Sequence, residues 1–204
     1  MSATTPPPPR TDPAPPADDD VLYEVVDGQI VVDGRIVVDG QIVEVPSMGA
    51  YAGWIASLLL LPLGTFARTQ GLGRVVVEVL FRIAPATKVR RRPDLAFVSY
   101  ERWPRGKRVP EDAAWDVIPE LAIEVVSPTD LAEDLLAKVH EYFRAGVRQG
   151  WVVYPNAAQV HVHESPTQIR VLGRGDELDG GPLLPGFRLP LAELFEAEAE
   201  AETA

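Results

Sequence analysis

Cysteine is absent from all 204 residues. That removes disulfide frameworks, thiol nucleophiles and cysteine-based zinc sites together. Long apolar runs are missing too. The best, Trp54 to Leu63, falls far short of the ~20 residues that cross a bilayer, so no membrane span is expected. The N-terminus has neither the charged n-region nor the apolar h-region of a secretory signal, and a cytoplasmic protein is the expectation. What is present suffices for a real core: apolar residues make up 46%. The length suits one domain with tails.

The net charge of -11 argues at first against a polyanionic partner, because phosphate binding wants a basic footprint. The distribution softens this. Between Lys88 and Arg108 eight basic residues face two acidic ones, a local charge of +6 that leaves -17 elsewhere. That stretch reads equally as a phosphate-facing patch, led by Arg90, Arg91 and Arg92, or as a solvated loop of ordinary surface arginines.

Residues 1–20 are Pro-rich, end in three aspartates and are expected to be disordered. Residues 196–204 alternate Glu and Ala as an acidic tail. The span 21–195 between them reads as one domain. Three Asp-Gly pairs, at 27, 33 and 39, separate β-branched runs and predict a small β-meander. Residues 50–70 read as an apolar helix that Pro62 should end or kink. Val75 to Ile83 and Leu95 to Val98 read as strands. Leu121 to Val126 is the most apolar strand and reads as central. Ser127-Pro128-Thr129-Asp130 should cap a helix from Leu131 to Ala145, which Gly146 closes. Trp151 to Tyr154 is the next strand, and Val160 to His163 with Gln168 to Leu172 form a final hairpin. Residues 121–154 thus have the length of a β–α–β crossover between parallel strands. An α/β architecture follows, a mixed sheet with helices on both faces.

Chemistry concentrates in three places. Asp94 follows Pro93 at the head of a strand, where a carboxylate can point into a cleft, although Pro-Asp is also a common turn dipeptide. Glu124 stands inside the apolar strand and shares a face with Ala122 and Val126. Such a buried carboxylate needs a partner, either an inward arginine such as Arg82 or a metal. Lys138 shares a helical face with Leu135, Glu141 and Tyr142. It reads either as a surface lysine or as a cation reaching the acids. Two carboxylates at strand ends with a lysine nearby could cage a divalent cation and a reacting phosphodiester. His161 and His163 share one strand face with no obvious third ligand, and an exposed face is expected. Ser127 reads as a cap, since Gly-x-Ser-x-Gly is absent.

Several stretches, in this order, carry a resemblance: Tyr23-Glu24-Val25-Val26-Asp27-Gly28, Arg92-Pro93-Asp94-Leu95-Ala96-Phe97-Val98, Pro119 to Pro128 around Glu124, Lys138 with Glu141-Tyr142, Ala145-Gly146-Val147, Trp151-Val152-Val153-Tyr154-Pro155, and Leu184-Pro185-Gly186-Phe187. Over roughly 21–195 the chain resembles the Uma2-type restriction endonucleases, a branch of the PD-(D/E)XK nuclease superfamily. The resemblance implies a restriction-endonuclease-like core and cleavage of DNA dependent on Mg2+, or Mn2+ in its place. It implies Asp94 and Glu124 as metal ligands, with Glu24 or Glu78 as a further acidic ligand. The superfamily usually places its lysine two residues after the second acid. Here that position is Val126, and Lys138 on the following helix takes the role. A histidine often opens the first long helix of the family; here Tyr51 stands there. Double-strand cleavage favours two active sites, hence a homodimer. The competing reading is an inactive nuclease-fold module that binds nucleic acid or a protein.

Overall fold

The computed structural model describes residues 24–26, 29–32, 35–36, 50–84, 89–128 and 130–195. The Pro-rich stretch 1–20, the third Asp-Gly repeat, Lys88 and the acidic stretch 196–204 lie outside the described residues, as do the side chains of 24–36. In chain order the elements are β1 (Glu24–Val26), β2 (Gln29–Val32), β3 (Arg35–Ile36), α1 (Ala50–Thr69), β4 (Gly73–Val77), β5 (Phe81–Ala84), β6 (Val89–Arg91), β7 (Leu95–Ser99), β8 (Leu121–Val125), α2 (Ala132–Ala145), β9 (Gln149–Tyr154), β10 (Gln159–His163), β11 (Ile169–Gly173), β12 (Glu177–Asp179), β13 (Arg188–Pro190) and α3 (Leu191–Leu194).

The main sheet runs β11-β10-β9-β8-β7-β4. Its β8–β9 pair is parallel and joined through α2; its other pairs are antiparallel. Strand alternation sorts the core into two layers. Leu95, Phe97, Leu121, Ile123 and Val125 face α1 and α3. Ala96, Val98 and Ala122 face the other way, towards Tyr142 of α2 and Phe81 of β5. The meander β1-β2-β3 continues through β6 into β5 as a second sheet, in the order β3-β2-β1-β6-β5. Val26 pairs with Gln29 and Val32 with Arg35, so each of the first two Asp-Gly pairs lies between neighbouring strands.

Three expectations need correction. The run from Val75 to Ile83 is two strands in different sheets, broken at Glu78, whose φ of 49° is left-handed. The break is held from outside: the Glu78 N–H donates to the Asp94 carbonyl (3.0 Å), and Arg92 Nη1 donates to the Glu78 carbonyl (2.7 Å). Of the two effects expected of Pro62, it does not end α1, within which it lies. The helix is also longer than its most apolar stretch, because uncharged residues carry it from Ala50 to Ala67. By length and composition it could cross a membrane, yet Ala52, Ile55, Leu59 and Leu63 pack against the sheet. Finally, the N-cap of α2 is Leu131 and not a described residue of the expected capping segment. Leu131 makes no side-chain capping bond there, while Asp130 Oδ2 accepts the Ser127 N–H (2.7 Å) and closes its own turn. Gly146 ends the helix as anticipated, at φ 101°, a left-handed position that suits glycine.

Candidate active site

The β7–β8 register builds the site. Leu95 pairs with Ile123, so one step further sets Asp94 beside Glu124. Both carboxylates fall on the face of Ala96 and Ala122, under α2. Glu124 is buried; Asp94 keeps one edge in solvent. Asp94 Oδ2 accepts the Val125 N–H at 2.6 Å, which ties the first acid to the strand of the second.

Helix α2 completes the arrangement. Lys138 Nζ lies 3.6 Å from Glu124 Oε2, and the Tyr142 hydroxyl donates to Glu124 Oε1 at 2.5 Å. Arg82, the other partner considered for Glu124, turns its guanidinium to the Ala114 carbonyl (2.9 Å). Burial, the neighbouring Glu124 charge and the more distant Asp130 push the Asp94 carboxyl up to about 8, against the opposing pull of the Val125 N–H and Lys138. The site is therefore overcharged with carboxylates for its degree of burial.

That imbalance suits a hard cation. Among the described residues no three His, Asp or Glu side chains group to hold a metal. Two carboxylates fit Mg2+, which keeps several waters and takes phosphate oxygens as further ligands. Glu78 contributes its backbone beside Asp94. Glu24 lies on β1, whose neighbour Val25 pairs with Arg90 of β6, the strand that leads into Pro93-Asp94; its side chain is outside the described residues.

The arginines sort differently from the single patch that sequence suggested. Arg91, expected to contact phosphate, is buried and forks onto Glu141 of α2, with Nε and Nη2 both 2.7 Å from Oε2. Alternation along β6 explains it: Val89 and Arg91 point in, and Arg90 lies on the other side. Arg102 is also structural. It pairs with buried Glu120 (3.1 Å) and holds the carbonyls of Ile118, Pro119 and Gly146. It lies beyond the far end of β7, about 17 Å of strand from Asp94. The basic stretch is thus split between two ends of the sheet. His163 is buried, not exposed, with Nδ1 lacking a hydrogen-bond partner; His161 packs on Tyr154 (ring centroids 4.5 Å).

Across residues 35–192, including Asp94, Glu124 and Lys138, the chain matches the family model Uma2, described as "putative restriction endonuclease". The chain belongs to the Uma2 family. A solved structure described as "a putative nuclease belonging to DUF820 from Anabaena variabilis ATCC 29413" superposes with a TM-score of 0.66 at 18% identity, covering 78% of this chain and 88% of that one. At that identity the likeness establishes the shared fold. No curated protein matches. In this Uma2 chain the position two residues after Glu124 is Val126, whose N–H is bonded to the Val153 carbonyl (2.8 Å). The cation beside the second acid comes from α2 instead. Sequence reading missed the roles of Tyr142, Glu141 and Asp130. The signal for the first two was their helical spacing from Lys138.

Proposed function

We propose that this Uma2 protein is a metal-dependent endonuclease that hydrolyses DNA phosphodiester bonds. The observation that carries the reading is Lys138 Nζ at 3.6 Å from Glu124, the carboxylate set beside Asp94 by the strand register. Asp94 and Glu124 would hold Mg2+, or Mn2+ in its place. When bound, the cation lowers the pKa of a coordinated water and neutralises phosphate charge. The chain's own part is positioning. Lys138 places a compact positive charge where a phosphate oxygen gains charge, and its N–H groups can orient the attacking water. Arg90 and Arg92, on the strand and turn that lead into Asp94, contact the phosphate backbone without reading bases. Hydrolysis adds water across one P–O bond and leaves a phosphate monoester and a hydroxyl.

The test is supercoiled plasmid with Mg2+, with Mn2+ and with EDTA, for the wild type, Glu124→Ala and Lys138→Ala. The expected result is metal-dependent nicking that falls at least about a hundredfold in both variants. A wild type inert with both metals would turn the reading towards an inactive module. Nicking that survives both substitutions would place the chemistry elsewhere.

A further inference from the structure

A lysine on the strand of the second acid is held in register by the sheet itself. A lysine on a helix is not: its place depends on how the helix docks and which way the glutamate turns. The terminal torsion of a glutamate is broad, so Glu124 needs something to fix it. Tyr142 stands one helical turn after Lys138 and faces the same carboxylate. Its ring is buried beside Ala122 and Val147, and its hydroxyl takes Glu124 Oε1 at 2.5 Å while Lys138 Nζ approaches Oε2. The two oxygens are divided between two residues of one helix. We propose that Tyr142 is a positioning residue that sets the orientation of Glu124 and couples it to the helix that delivers Lys138.

The alternative is that Tyr142 merely fills the core, which phenylalanine would do equally well. The proposal rests on the nuclease reading for what Glu124 is positioned to do, so the test separates the two. Tyr142→Phe keeps the ring and removes the bond. In a crystal structure of this variant the Glu124 carboxylate is expected to leave its present orientation and the Lys138 pair to open. Mn2+ titrated into the free protein and followed by electron paramagnetic resonance is expected to bind about tenfold more weakly or worse, the usual loss when a hydrogen bond to a ligand is removed. Plasmid cleavage should lose a similar factor in kcat with KM for DNA unchanged. Val147→Ala loosens the same core cluster without touching the bond and should keep wild-type Mn2+ affinity. An unmoved Glu124 in Tyr142→Phe, or equal losses of affinity in the two variants, overturns the proposal. A wild type that binds no Mn2+ defeats the nuclease reading instead, and the Glu124 orientation in Tyr142→Phe still decides the role of Tyr142.

Discussion

Asp94→Asn is expected to abolish cleavage while making the metal-free protein more stable at alkaline pH. The carboxyl of Asp94 rises from 3.8 to about 8 in the folded chain, chiefly through burial and the Glu124 charge. Between those values the folded state holds a proton that the unfolded state has released. Stability therefore falls as pH rises across that window and is flat above it. At about 1.4 kcal/mol per pH unit the penalty has a ceiling of roughly 6 kcal/mol. One edge of the residue still meets solvent, so about 2 kcal/mol is the realistic gain for the variant. Asparagine keeps an acceptor oxygen for the Val125 N–H, so the bond between the strands survives. Urea unfolding in EDTA at pH 5 and pH 8 checks this: the gap between the two proteins should be clearly smaller at pH 5 than at pH 8. Added Mg2+ should reverse the order by stabilising the wild type, by about 2.7 kcal/mol at a hundred times Kd, while leaving Asp94→Asn unmoved. A variant no more stable than wild type at pH 8 would show that the acid pair is already neutralised from within.

This trade-off is legible in part in the sequence itself. An acidic residue in Leu121-Ala122-Ile123-Glu124-Val125 announces itself, since nothing in the strand's own composition can satisfy it. The crossover through α2 followed from strand, helix and strand lengths. The meander followed from turn chemistry repeated between β-branched runs. These are local signals, and local signals survive translation into three dimensions.

What escaped was set by tertiary contact. The corner at Glu78 has no glycine or proline to mark it; the Asp94 carbonyl and the Arg92 guanidinium hold it from the next strand's approach. Asp130 has capping chemistry, and its carboxylate spends it on the Ser127 N–H in a turn. The short pair β12–β13 falls in a stretch rich in glycine and proline that reads as loop. Charge was the least transferable signal. Arg90, Arg91, Arg92 and Arg102 look alike in sequence, yet Arg91 and Arg102 are engaged with Glu141 and Glu120 inside the fold. Only the alternation of β6, with Val89 and Arg91 on one side, hinted that its middle and outer residues differ.

Arg91→Met should be among the most damaging single changes outside the acid pair and lysine. The guanidinium is almost fully buried and joins β6 to α2 through two 2.7 Å contacts on Glu141, whose side chain is 18% exposed. Breaking one side of a buried pair costs about 3–5 kcal/mol, because the remaining charge loses its compensation. Glu141 retains some access to water, so the lower end, about 3 kcal/mol, applies here. Glu141→Leu strands the more deeply buried Arg91 and should cost more. Replacing both partners, Arg91→Met with Glu141→Leu, removes both charges and should recover much of the loss. A double-mutant cycle by urea unfolding measures this. Cleavage adds a second readout. Glu141 lies between Lys138 and Tyr142 on the docking face of α2, so the pair holds the helix that brings both residues to Glu124. If the pair only stabilises the fold, the double variant should regain activity along with stability. If the charged fork also sets the register of α2, stability returns while kcat stays low. The second outcome is the expected one, because two apolar side chains can fill the gap without fixing how far the helix slides along the sheet. Single variants as stable as the wild type would remove Arg91 from the account of how a lysine carried on a helix is brought to the acids.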